Sequence, residues 1–164
     1  MKKIIYVIAV IVLFSSCVAS ENQEGYHTFY KENKNKENVI SFGLPTGLIA
    51  LFLNNDENHE LKQFLKNTDN LRFFIAEDST KTLLPVLKNY LPENLYKDFM
   101  IINDSGEKVS FKARESENAI SEIIMLVESD SSFVVMSIEG EFTYEDLKNF
   151  AKSVDINKVV DAEE

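Results

Sequence analysis

A single cysteine, Cys17, and only two histidines, His27 and His59, occur in the 164 residues. No disulfide can therefore close within the chain. A zinc site is disfavoured as well, because there is no thiolate pair, no HExxH helix and little imidazole. Each histidine reads as a surface residue. Basic residues are in the minority, 17 Lys and Arg against 27 Asp and Glu, for a formal charge of −10. An acidic surface repels phosphate backbones, which excludes nucleic acid as a partner, and it repels anionic lipid head groups in the same way. No apolar run is long enough to span a membrane. The longest, residues 4–14, holds 11 residues, a helix of about 16 Å against a hydrocarbon core of ~30 Å.

That short run is informative for what flanks it. Lys2 and Lys3 precede it, and Ser15, Ser16 and Cys17 follow. A basic start, an apolar centre and a small-residue cleavage region are what the export machinery reads. Phe14-Ser15-Ser16-Cys17 resembles the bacterial lipobox, in which the cysteine thiol takes a diacylglycerol and cleavage leaves that cysteine as the new N-terminus. Phe14 stands where the pattern usually has Leu, with Leu13 beside it. The expectation is a lipoprotein signal peptide over residues 1–16 and lipidation of Cys17. The alternatives are ordinary cleavage after Ala19, where Cys17-Val18-Ala19 loosely matches a small-x-small site, and an uncleaved signal anchor. Removal of Lys2 and Lys3 takes the charge from −10 to −12, so membrane attachment is expected through the acyl chains and not through a basic face.

With Cys17 used as the anchor no cysteine remains, and an exported domain must be stabilised by its apolar core alone, which 45% hydrophobic residues make feasible. The length suits one domain. Residues 17–25 are small, polar and acidic and read as a lipid-anchored flexible tether; their acidity also fits a surface-sorting signal. One α+β domain is expected over residues 26–157, followed by an acidic tail over 158–164. Within it, Tyr26, Phe29 and Tyr30 fall on one face of a short helix. Residues 39–42 are β-prone, residues 43–47 read as a turn, and 48–53 as a buried helix. That turn lacks the Lys-Ser/Thr of a phosphate-binding loop. Asn55 or Asp56 caps a helix carrying Leu61, Phe64 and Leu65. A strand follows over 71–76, and then a helix capped by Ser79 or Thr80 and carrying Leu83, Leu84, Leu87 and Leu91. Two consecutive hairpins come next: residues 99–102 with 109–114 around Gly106, and 120–127 with 133–138. Thr143 and Asp146 nearly match a capping box and open a last helix with Leu147 and Phe150 on its apolar face. The fold class expected is α+β, a mostly antiparallel sheet packed by several short helices.

Residues 40–53, Gly106-Glu107, the run 119–127 and residues 137–142 leading into Leu147 together resemble family four-two-five-two of the domains of unknown function, small lipoproteins of Gram-negative bacteria. The resemblance implies an α+β domain behind a lipid anchor and names no catalytic residue. It implies the cell envelope of a Gram-negative bacterium as location, at the outer membrane on its periplasmic or surface face.

Reactive constellations are few. Ser105-x-x-Lys108 spells a catalytic pattern but falls in a hairpin turn, where the lysine is not one helical turn away. Glu139 and Glu141 would share a strand face if that strand continues past Gly140, a paired-carboxylate candidate for which a solvated strand end is the plainer account. Residues 54–58 are acidic but lack the order of a calcium loop. Asp78-Ser79-Thr80 resembles a short O-glycosylation acceptor and equally a helix cap. The expectation is no catalytic residue, no cofactor and no metal. The chain reads as a non-enzymatic envelope module that binds a protein or small ligand. The alternatives are an envelope-monitoring regulatory accessory and a hydrolase assembled from distant carboxylates. Substituting Cys17→Ser is expected to abolish metabolic palmitate labelling and to leave precursor or protein released after Ala19; labelling that survives would end the lipoprotein reading.

Overall fold

The structure, a computed structural model, describes residues 25–47, 64–104, 106–116 and 119–153. Helix α1 is Tyr26–Asn33, α2 is Leu83–Asn89 and α3 is Tyr144–Ser153. The strands are β1 Val39–Pro45, β2 Thr68–Ala76, β3 Tyr96–Asp104, β4 Glu107–Ser116, β5 Ala119–Glu128 and β6 Phe133–Phe142. They form one six-stranded sheet in the order β1-β2-β6-β5-β4-β3, with every neighbouring pair antiparallel. The expected α+β class and the C-terminal meander are therefore present: β3 to β6 follow one another in space as in sequence. The β3–β4 turn places Gly106 at φ +94°, a left-handed backbone that favours glycine.

Alternating side chains point to opposite faces of a strand, and each face of this sheet carries a core. On the first face, Phe74, Ala76, Ile124, Leu126, Phe133 and Val135 pack under Tyr26 and Phe29 of α1 and Leu83, Leu84 and Leu87 of α2. On the second, Leu71, Phe111, Ile123 and Ile138 pack under Leu147 and Phe150 of α3 and under Phe64. Phe64 belongs to a helical turn over residues 64–66 and stacks on Phe142 and Phe150 at centroid distances of 4.8 and 4.5 Å. The capping box is formed: the Thr143 N–H donates to Asp146 Oδ2 at 2.8 Å, and the Asp146 N–H to Thr143 Oγ1 at 3.1 Å.

Two local expectations are corrected. Residues 43–45 are strand and not turn, paired Gly43↔Arg72, Leu44↔Leu71 and Pro45↔Asn70. The reason is position: β1 is an edge strand, where a residue without an N–H can face away from the ladder. Helical backbone begins at 46–47; the expected helix over 48–53, the cap at Asn55 or Asp56 and Leu61 lie outside the described residues. Neither Ser79 nor Thr80 caps α2 with its hydroxyl. The Ser79 carbonyl accepts the Leu83 N–H at 2.8 Å, and its hydroxyl donates to the Glu77 carbonyl at 2.8 Å. Thr80 donates instead to the Asp130 carbonyl in the β5–β6 turn, 2.8 Å away.

Gly140 is the most closely packed of the described glycines. A Cβ there would lie 2.0 Å from the Asn67 carbonyl oxygen and 2.8 Å from the Phe142 ring. That carbonyl also accepts the Glu141 N–H at 3.0 Å. Gly140→Ala is expected to force the 64–67 turn off the sheet and to lower stability by about 2 kcal/mol or more in urea unfolding; an unchanged midpoint would show that the turn yields freely.

Candidate functional site

The register lines up polar side chains across the first face. Tyr96 pairs with Arg114, Arg114 with Glu122, Glu122 with Glu139 and Glu139 with Asn70, a row crossing five strands. Glu122 sits at its centre, 5% exposed. Ser137 donates to its Oε1 at 2.7 Å and Tyr96 to its Oε2 at 2.7 Å. The Tyr96 hydroxyl in turn accepts the Tyr26 backbone N–H at 3.0 Å. One hydrogen-bonded chain thus joins α1, β3, β5 and β6. Arg114 lies over the Tyr96 ring, 5.8 Å from its centroid, and Arg72 pairs with Glu139, which also accepts from Asn70 at 3.1 Å.

Burial is the first cause that raises the Glu122 carboxyl above its usual range; the two hydroxyl donors oppose it, and Glu139 reinforces it. Burial likewise pushes the Tyr96 and Tyr26 phenols far up. The Tyr26 hydroxyl is buried without a hydrogen-bond partner. Chemically the cluster favours a proton on Glu122, but both carboxyl oxygens are engaged by hydroxyls and the group is closed from solvent. It organises the interior and does not face a substrate.

The structure separates Glu139 from Glu141. A register shift between Ile120 and Glu122 places Glu139 opposite Glu122 on the first face, while Glu141 lines a different depression of about 500 Å³ with Lys66, Asp69 and Thr143. The carboxylate that does approach Glu139 is Glu122, and only the cross-strand register reveals it. Ser105 of the S-x-x-K pattern lies outside the described residues, and Lys108 is on β4 beside Glu128. His27 is exposed on α1. His59, residues 54–58 and Cys17 lie outside the described residues. Among the described residues no group of three or more His, Cys, Asp or Glu side chains is arranged to hold a metal ion, and no helix is long and apolar enough to cross a membrane.

One part of the first face is open. Helices α1 and α2 pack on β1, β2, β6, β5 and Tyr96 at the start of β3 and leave the rest of β3 and the neighbouring part of β4 outside this core, beside the C-terminal end of α2. The result is a groove of about 340 Å³. β4 supplies its floor, because its buried apolar residues Val109, Phe111 and Ala113 point to the second face, so Lys108, Ser110, Lys112 and Arg114 line up on the first. Ile101 of β3, 49% exposed, stands at the groove's outer edge. Lys88 of α2 reaches Glu128 at 2.6 Å, Lys108 approaches the same carboxylate at 3.9 Å, and Lys112 pairs with Asp98 at 2.7 Å.

The domain of unknown function DUF4252 has a family model that matches residues 29–150. The chain belongs to the DUF4252 family. The match covers the span from α1 into α3, so the groove, the second core and all of the first core but Tyr26 fall within it. The chain matches no curated protein and no solved structure.

The raised Glu122 carboxyl fixes the sign of a pH effect. Below about 4.5, the ordinary glutamate value, the group is protonated folded or unfolded, and its contribution is fully present. As pH rises above that value, the unfolded chain releases the proton while the buried carboxyl keeps it, so stability is lost until pH passes the folded value. Glu122→Gln keeps an acceptor and a donor for Tyr96 and Ser137 without the charge. Its stability relative to the parent chain is expected to grow with pH from about 4.5 upward, by at most ~1.4 kcal/mol per pH unit. Glu122→Ala, which strands two hydroxyls, should cost about 2–4 kcal/mol. Parallel stability curves for the parent and Gln chains would refute the assignment.

Proposed function

We propose that this DUF4252 protein is a lipid-anchored binding module of the bacterial envelope, held to the membrane through the lipid on Cys17, whose binding surface is the open half of the first sheet face. The observation that carries this reading is the groove of about 340 Å³ between α2 and the β3–β4 ladder, a size within the ~300–1,000 Å³ of small-molecule sites. An enzymatic reading has less support. The carboxylates that the sheet brings together are already engaged, Glu122 by Tyr96 and Ser137 and Glu139 by Arg72 and Asn70. A hydrolase needs such groups free to reach a substrate. The envelope-monitoring role is one use to which the same binding surface could be put and calls for no separate site.

A photo-crosslinking amino acid placed at Ile101 in the full chain, expressed in the native envelope, tests the surface. Tyr144 on α3, 62% exposed, is the control position. Mass analysis is expected to show discrete adducts at 101, of a small molecule or a protein, and none at 144. Equal yields at both positions, or none at 101, would overturn the reading.

A further inference from the structure

We infer that β1 is a self-association edge: two copies of this chain join β1 to β1 in antiparallel register about Phe42, so that their sheets run on as one. The inference goes beyond the groove, which lies toward the opposite edge of the sheet, and does not depend on it.

The two edges of the sheet are built differently. β3 carries Lys97, Asp98 and Asp104 and a register shift between Asp98 and Met100, charges and an irregularity of the kind that keep an edge from pairing. β1, Val39-Ile40-Ser41-Phe42-Gly43-Leu44-Pro45, has no charged residue in a chain of which 27% is charged. Ile40, Phe42 and Leu44 lie opposite Ile75, Phe73 and Leu71 on the second face, and they are 56%, 41% and 37% exposed. Stacking on Phe73 at a centroid distance of 4.9 Å fixes the Phe42 ring in that row. The backbone is ready as well. The Glu77 N–H donates to the Asn38 carbonyl at 3.0 Å, so residues 38, 40, 42 and 44 are those bonded toward β2. Alternation then turns the N–H and C=O groups of Val39, Ser41 and Gly43 outward, together with the C=O of Pro45.

A second copy is the occupant because this edge complements itself. With Phe42 on a two-fold axis, Ser41 bonds to Gly43 of the second copy and the Val39 N–H donates to its Pro45 carbonyl, while Phe42 meets Phe42 and Ile40 meets Leu44. Every residue of the strand is paired, and the missing Pro45 N–H falls at the end. Centring the pair on Ser41 or Gly43 would instead set Leu44 against Asn38 or Ile40 against Thr46, both outside β1. Charge points the same way. Two copies at −10 each repel, and an uncharged strand is where they can meet, whereas a partner of opposite charge would find nothing on β1 to read. The axis stands perpendicular to the sheet, so both copies carry α1 and the proposed tether on the same side, toward one membrane. A strand of seven residues, about 23 Å long at ~3.3 Å per residue, buries less than a standard interface of ~1,600 Å². The pairing is therefore weak between separated molecules and favoured where tethers gather copies on a membrane.

The test is cysteine trapping in the full chain, in its native membranes under mild oxidation, with the parent chain as the control for Cys17. Across the axis the two Cα atoms at position 42 would stand ~4.5 Å apart, within disulfide reach. Phe42→Cys is expected to give a linked homodimer at least about tenfold faster than Tyr144→Cys on the exposed side of α3. Ile40→Cys alone should not link, because its copies sit roughly 14 Å apart at ~3.4 Å per residue; Ile40→Cys co-expressed with Leu44→Cys should. Adding Phe42→Lys to both chains of that mixed pair should lower linking about tenfold or more, and Phe42→Lys in one chain with Phe42→Glu in the other should restore it, which a loss through misfolding would not allow. Absence of a homodimer through position 42, equal linking at Tyr144, or linking of Ile40→Cys alone as fast as Phe42→Cys would overturn the pairing. A bond from position 42 to a different protein would overturn the second copy as occupant, and a position 42 closed to a maleimide reagent without any dimer would show the row covered within one chain and overturn it equally.

Discussion

Burial of β5 and β6 on both faces is the constraint from which the rest of the structure follows. Ile123 and Ile138 point into one core, while Ile124 and Val135 point into the other. An antiparallel sheet with one wet face would have needed polar alternation there. Two apolar faces require two covers, and the chain supplies each from two separate segments: α1 and α2 for the first face, the 64–66 turn and α3 for the second. Glu122 is the exception, a carboxyl inside the doubly covered strand. Its position is tolerable because Tyr96 and Ser137 donate to both of its oxygens. The hydroxyl of Tyr96 then fixes the first residue of α1. A single polar residue in a central strand thus ties the first helix of the domain to the sheet.

Much of this was legible in the sequence. The two C-terminal hairpins could be read because their turns carry polar and glycine residues between β-prone runs, and the last helix because Thr143 and Asp146 cap it locally. These are short-range signals, and the contacts that decide them lie within a few residues. What was not legible depends on placement in the sheet. Pro45 punctuates a chain read locally, but on an edge strand it has no ladder bond to lose. Ser79 carries the side chain of a cap, yet its hydroxyl turns back to Glu77. Glu122 looked like one more acid in an acidic chain, and nothing in its neighbours announced burial. Its pairing with Glu139 depends on a register shift between Ile120 and Glu122, an irregularity without a composition signature.

The groove shows the same division. The alternation of β4, Lys108-Val109-Ser110-Phe111-Lys112-Ala113-Arg114, is plain in the sequence and says that one face is apolar and the other cationic. It does not say whether the cationic face is covered. That is settled by how far α1 and α2 extend across the sheet. Beyond β5 the first core takes in only Tyr96 of β3, and α2, seven residues long, ends at Lys88 and Asn89 beside the groove. A longer α2 would have closed over β4 and buried its lysines at high cost. The short helix and the basic strand are mutually consistent, and each is a reason for the other.

The position of α1 gives the proposed anchor a geometric meaning. The domain begins at Gly25 and Tyr26, and the backbone N–H of Tyr26 is held by Tyr96, which pairs with Arg114 on β4. Ser110 lies four residues before Arg114 along β4, roughly 14 Å at ~3.4 Å per residue. The point where a tether would join the domain and the floor of the groove are therefore fixed to two adjacent strands, β3 and β4, on one sheet face. A lipid on Cys17 would hold that face within a tether's length of the membrane, so that a ligand released at the lipid surface meets the groove before it meets the bulk. In so acidic a chain, electrostatic repulsion from anionic lipid opposes flat docking of the domain. Attachment through one end, with the groove near that end, would keep the site close to the membrane while the acidic surface stays in water.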